Sequence, residues 1–321
     1  MAEPLILKAD VHEKMWGGTA LRDLFGFEIP SDHTGEAWVV SGHPNGPTIV
    51  ENGVYAGQTL VEVWQSHPEL FKNADASRPF PLLVKILDAH ADLSVQVHPD
   101  DTYAAEHANE LGKTESWYIL DATPDAEIYY GHTAKTQAEF DAMVDAGDWD
   151  DLLQTVPAHK GDFFYVPSGT LHALGAGVVA LEIQQSSDTT YRVYDFDRVE
   201  AATGQKRRLD LEDSKAVTEV PFKPVPTTPK VLELGDVTQT TLVESAYFNV
   251  NDYALDGHAE LTPTAPYSLV TMVSGQMTLT VDDENYHIEK GMSFVLPADV
   301  KQYQVVGKGQ FVIGTPGPKS I

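Results

Sequence analysis

The chain contains no cysteine. Disulfides, thiolate metal ligands and a cysteine nucleophile are therefore excluded, and any metal must be held by His, Glu, Asp or Gln. Basic residues are also scarce: 21 Lys and Arg face 48 Asp and Glu, for a formal charge of -27. That balance opposes binding to nucleic acid or to an anionic membrane surface, so an anionic substrate would need a local cationic cluster. No apolar run is long enough to span a bilayer, and the opening MAEPLILKADVHEK lacks the layout of a signal peptide, which predicts a cytoplasmic protein. Apolar residues are not scarce. They make up 42% of 321 residues, enough for two ordinary cores.

The most informative stretch is KGDFFYVPSGTLH at 160–172, repeated in weaker form as KGMSFVLPADVKQ at 290–302. In the first copy an aromatic strand runs into Pro167-Ser168-Gly169, where Pro ends the ladder and Gly permits a tight turn, and His172 follows. The spacing of Gly161, Pro167, Gly169 and His172 resembles the second motif of the cupin superfamily, in which the histidine is a metal ligand. The second copy keeps Gly291 and Pro297 but has Asp299 and Gln302 where the glycine and histidine would stand. One working metal site and one degenerate barrel are expected.

In chain order, residues 1–60 read as short strands broken by turn signals such as Glu51-Asn52-Gly53. A helix is predicted over 59–71, with Thr59 and Glu62 forming a capping box. Residues 82–87 form a continuous apolar run with Lys85 as its odd member, a buried strand or short buried helix. Residues 92–98 alternate, with Leu93, Val95 and Val97 on one face and Ser94, Gln96 and His98 on the other, so the polar set is expected to line a cavity. Pro99 suits the first position of a following helix. Strands are predicted at 115–120, 126–130, 178–184 and 190–196. Helical spacing between 136 and 155, broken near Gly147, marks an insertion around 133–156, and 209–217 reads as a short helix. Four prolines within 221–229 mark a linker at 221–230. Only strand and turn signals follow. The expected class is mainly β, two cupin (jelly-roll) barrels with a small helical insertion in the first half. The expected division is a catalytic domain at 1–220, the linker, and a degenerate second domain at 231–321.

Four separated motifs extend the likeness: Gln96-Val97-His98-Pro99-Asp100-Asp101, then Gly112-Lys113-Thr114-Glu115-Ser116-Trp117-Tyr118, then His172-Ala173-Leu174, then Asp188-Thr189-Thr190-Tyr191-Arg192-Val193-Tyr194-Asp195. In this order they closely resemble the type I mannose-6-phosphate isomerases, in their short bacterial form. The resemblance implies interconversion of mannose 6-phosphate and fructose 6-phosphate, with one zinc ion held by His98, Glu115 and His172. Gln96 is either a fourth ligand or a hydrogen-bond partner of the site. It implies further that Arg192 is the catalytic arginine, that Lys113 and Glu182 serve the chemistry, and that Ser94, Lys85 and Arg198 belong to the substrate pocket. Trp16 reads as core or cavity wall. Lys113 is preferred to Glu182 as the base. Oligomeric state is left open.

Two other function classes fit part of the pattern. Two histidines and a carboxylate also describe a non-haem iron dioxygenase, and a sugar-phosphate-binding bicupin would need no turnover. Lys113 and Arg192 favour the isomerase.

Overall fold

The computed structural model describes residues 2–200 and 203–320. Among these, the strands form three antiparallel sheets, and helices are few and short. A six-stranded sheet is ordered Phe163–Val166, Glu115–Ala122, Val178–Gln185, Leu82–Ala89, Thr34–Ser41, Asp10–Gly18. A five-stranded sheet is ordered Tyr191–Tyr194, Val95–Val97, His172–Leu174, Glu127–His132, Leu153–Pro157. The third, nine-stranded sheet is built on the long strands Phe248–Leu261, Ser268–Val281 and Tyr303–Pro316.

Side-chain alternation assigns the two faces of the six-stranded sheet. Val84, Ile86, Tyr118, Leu120, Val179, Leu181 and Ile183 turn one way and form a core with Leu242, Phe248, Leu269, Val295 and Val312 of the nine-stranded sheet. The opposite parity carries Leu87, Ala89, Trp117, Ile119, Val178 and Ala180 into a second core shared with the five-stranded sheet. The nine-stranded sheet has a third core of its own around Met272, Leu279, Phe294 and Phe311.

The halves of the chain are also joined by backbone hydrogen bonds. Strand Leu5–Lys8 pairs with Ser293–Leu296 on one side and Ile49–Val50 on the other, so residues from the first half complete the sheet of the second. No local sequence signal distinguishes this partner from a strand nearby.

Several local expectations are met in detail. Thr59 and Glu62 form a reciprocal capping box on helix Leu60–Ser66, which ends at His67 because Pro68 starts a separate 3-10 turn. The insertion is helix Gln137–Ala146, capped by Thr136 and stopped by left-handed Gly147, followed by Trp149–Leu152. Its Phe140, Val144 and Leu152 pack into the second core. One expectation is off by two positions: Asp100, not Pro99, marks the start of helix Asp101–His107, as the N-cap accepting a hydrogen bond from the Tyr103 N–H.

Candidate active site

Two rows of side chains, one on each sheet, face each other across the interior of the first half. On the five-stranded sheet Arg192, Gln96 and His172 are cross-strand neighbours, with Gln96 paired to each of the others. On the six-stranded sheet Trp38, Lys85, Glu182 and Trp117 stand in a second line, each opposite the next. Adjacent strands lie about 4.8 Å apart, so Arg192 and His172 mark two ends of a row about 10 Å long.

At the His172 end, His98, Glu115 and His172 converge with all ligand atoms within 4.8 Å of one another, each side chain only 1% exposed. The turn predicted at 167–169 positions one of them. Gly169 has φ +85°, its N–H donates to the His98 carbonyl at 2.9 Å, and a Cβ there would press on the Val217 carbonyl at 3.0 Å. His98 Nδ1 lies 2.9 Å from the Thr189 carbonyl and His172 Nδ1 lies 2.8 Å from that of Thr170. Each Nδ1–H is thereby tied to backbone, leaving the Nε2 lone pairs for the centre. They approach Glu115 at 3.3 and 3.1 Å.

Both Glu115 oxygens and His172 Nε2 are buried without a hydrogen-bond partner. Lys113 Nζ stands 2.9 Å from Glu115 Oε2, an ion-pair contact lacking hydrogen-bonding direction, and donates to His98 Nε2 at 2.8 Å. Burial, then Lys113, pushes His98 down to about 3, so its imidazole is neutral. Burial alone would raise the Glu115 carboxyl, but Lys113 and the two histidines hold it well below the usual range. Two imidazoles with Nε2 turned inward and an orphaned carboxylate, without sulfur, fit a divalent cation of the zinc, iron or manganese kind.

Above this centre lies a cavity of about 300 Å³. Lys14, Lys85, Lys113, Arg192 and Arg207 line it against Glu36, Glu182 and Asp188, so in a strongly acidic chain five cations outnumber three carboxylates here. Lys85 explains how the six-stranded wall tolerates charge. Its Nζ lies 3.3 Å from Glu182 Oε2, 3.9 Å from Glu36 Oε2 and 5.0 Å from the centre of the Trp38 ring. The indole N–H groups complete the carboxylates: Trp117 donates to Glu182 Oε1 at 3.0 Å and Trp38 to Glu36 Oε2 at 2.7 Å. Burial would lower the Lys85 ammonium, yet Glu182 and Glu36 push it above its ordinary value.

Comparison with known proteins agrees with this geometry. Residues 5–136 match the phosphomannose isomerase type I catalytic domain, and residues 238–316 match the mannose-6-phosphate isomerase cupin domain. The mannose-6-phosphate isomerase of Streptococcus mutans is 52% identical over 307 residues, 96% of each chain. The chain belongs to the type I mannose-6-phosphate isomerase family. A Bacillus subtilis relative of the same name is 48% identical over 97% of this chain and 98% of its own. The crystal structure of the mannose 6-phosphate isomerase from Bacillus subtilis superposes with a TM-score of 0.95 at 42% identity, covering 98% of this chain and 99% of that one.

Of the residues expected at the site, Trp16, Lys85, Ser94, Gln96, Lys113, Glu182 and Arg192 all line the cavity. His98, Glu115 and His172 form the cluster beneath, reached through Lys113. Arg198 is the exception. It is absent from the cavity wall, its guanidinium donating instead to the Asp92 carbonyl and to Asp195. Leu93, expected on the outward apolar face, lines the cavity, because the regular ladder begins only at Val95 and alternation does not extend back to it. Lys14, Glu36, Asp188, Thr190 and Arg207 are wall residues that sequence reasoning missed. Glu36 had a signal of the same kind as Lys85, a lone charge in the otherwise apolar strand Thr34–Ser41. Arg207 had none, since it lies in irregular chain after Val199 and Lys206 form an isolated bridge.

Proposed function

We propose that the cavity binds a hexose 6-phosphate and that the chain interconverts mannose 6-phosphate and fructose 6-phosphate. The observation that carries this reading is the buried His98–Glu115–His172 cluster, its Glu115 oxygens and His172 Nε2 without hydrogen-bond partners, opening through Lys113 into a cavity rich in cations. We take zinc as the metal, held by those three residues, with Gln96 as fourth ligand or hydrogen-bond partner beside His172 in the row. When bound, the cation supplies Lewis acidity toward the carbonyl and hydroxyl oxygens at C1 and C2.

Aldose and ketose differ by one proton moved between C1 and C2 through a cis-enediol. Lys113 stands where the cavity meets the cluster and is our choice to carry that proton. Glu182 is the other candidate, but both its oxygens are engaged, one by Trp117 and one by Lys85, which favours a role as a fixed charge. Arg192, permanently cationic and hydrogen-bonded to Ser94 Oγ at 3.2 Å, orients the sugar chain. Lys85, Ser94 and Trp16 shape the pocket around it. Arg198 acts behind the wall by holding Asp195.

The same reading takes the molecule as two jelly-roll barrels divided at 221–230, the second without a catalytic centre. There Gln302, in the place of His172, is exposed and donates to Glu260. Among the described residues no helix is long and apolar enough to cross a membrane, which is compatible with a cytoplasmic enzyme. A dioxygenase is not favoured, since the family and the cationic wall both point to a sugar phosphate. Incubating the zinc-loaded protein anaerobically with mannose 6-phosphate and assaying fructose 6-phosphate is the direct test. No product under those conditions removes the isomerase assignment.

A further inference from the structure

Four of the six arginines of the chain fall within 192–208, an uneven use of the residue best shaped to hold phosphate. Their charges are not balanced locally. Asp195 accepts from both Arg198 and Arg207, and Asp210 pairs with Arg208 at 3.2 Å while also accepting from the Arg192 backbone N–H. Among the described residues the Arg192 guanidinium meets only neutral groups, Ser94 Oγ and the Arg208 carbonyl, both at 3.2 Å. Arg198 and Arg207 thus share the one carboxylate of Asp195, and the Arg192 guanidinium beside them has none in contact.

Their orientations separate them. Arg198 is spent on backbone and on Asp195. Arg207 is gripped by Asp195, its Nε and Nη2 donating to the two carboxylate oxygens at 2.8 and 2.5 Å, and among the described residues no protein acceptor meets Nη1. That fork is held rigidly against the cavity wall, so little side-chain freedom is lost on binding. Arg192 lies beside it, close enough that Arg207, after burial, lowers its affinity for a proton. Like charges this close call for an anion between them.

The position along the row supplies the ligand's identity. Arg192 stands two strands away from His172, and the phosphorus of a hexose 6-phosphate lies at the opposite end of the carbon chain from C1 and C2. We propose that Arg207, rather than Arg198, binds the phosphate group of the substrate, with Asp195 as the residue that positions it. This rests on the sugar-phosphate reading of the cavity.

The test is calorimetric titration of the metal-loaded protein with sorbitol 6-phosphate, an acyclic ligand without a carbonyl, which cannot be isomerised. Losing charge-assisted hydrogen bonds to phosphate weakens binding roughly 10- to 100-fold, the loss expected for Arg207→Ala. Arg207→Lys, which keeps the charge without the fork, should fall between Ala and wild type. Arg198→Ala should lose less than Arg207→Ala. In turnover, Arg207→Ala should raise KM for mannose 6-phosphate far more than it lowers kcat. Wild-type affinity in the Arg207→Ala protein overturns the proposal, as does a larger loss in Arg198→Ala. If the alanine variant does not fold, Arg207→Lys decides: unchanged affinity rejects the role. A wild-type protein that binds sorbitol 6-phosphate through Arg207 but makes no fructose 6-phosphate leaves this assignment intact and removes the isomerase reading alone.

Discussion

Lys85 and Glu182 face each other across adjacent strands of the six-stranded sheet, Nζ 3.3 Å from Oε2, and each side chain is 5% exposed. Removing one member leaves the other buried and uncompensated, which costs about 3–5 kcal/mol. Lys85→Met should therefore lower the unfolding free energy measured in urea by that order, since Glu182 and Glu36 both lose a counter-charge. Glu182→Gln should cost less, because the amide oxygen still accepts from Trp117. A Lys85→Met protein as stable as wild type would mean that water reaches this pair.

The metal cluster gives a prediction about composition as well as rate. His172→Ala should reduce both bound metal, measured by elemental analysis, and turnover, because one of the two imidazoles of the cluster is lost. Chelation of the wild type should abolish turnover and lower the melting temperature, with a divalent cation restoring both. Full metal occupancy in His172→Ala would remove that residue from the site.

Arg192→Ala separates holding the substrate from holding the metal. Its guanidinium touches Ser94 and the Arg208 carbonyl, not the cluster. Metal content should remain at the wild-type level while kcat/KM falls by about 100-fold or more, as for loss of a group that holds the substrate in its reactive position. An active variant ends its assignment.

Two carboxyls, Glu36 buried and Asp252 half-buried, predict opposite slopes of stability against pH. Burial would raise the Glu36 carboxyl, but Lys85 and Lys14 bring it from 4.5 down to about 2. Its folded value is depressed, so its contribution, on the order of 3 kcal/mol, is present above pH 4.5 and is lost as pH falls toward 2. Glu36→Gln should flatten the acid limb in chemical unfolding. Asp252 is raised by burial from 3.8 to about 6, although Gln310 donates to it at 2.8 Å. Here stability declines as pH rises through that window, and Asp252→Asn should stabilise the protein at pH 7 by about 2 kcal/mol. A variant less stable than wild type at pH 7 refutes the second assignment.

Local patterns in the sequence foretold much of the site because its chemistry is set by strand parity. Alternation put Gln96 and His98 on one face, the Pro167-Ser168-Gly169 turn placed His172, and Lys85 stood out as a charge in an apolar run. Trp38, Glu36 and Lys14 were harder to see. Their role follows from which strand lies beside Leu82–Ala89, and strand order is fixed by packing between distant segments. Arg198 and Arg207 show the limit most clearly. Both compete for Asp195, and only their three-dimensional arrangement decides which one faces the cavity. Strand Leu5–Lys8 is another nonlocal case, since its sequence is equally compatible with any antiparallel neighbour.

That strand also constrains how the molecule is made. Leu5 pairs with Val295, so a strand that can pair early with Ile49–Val50 along one edge has no permanent partner along its other edge until almost the whole chain has been synthesised. Until then an apolar edge, Leu5-Ile6-Leu7, stays open to the wrong neighbour, and closing so long a loop is slow. Chaperone dependence during translation should therefore centre on this N-terminal edge, and a tag fused close to it should depress soluble yield more than one placed at the C-terminus.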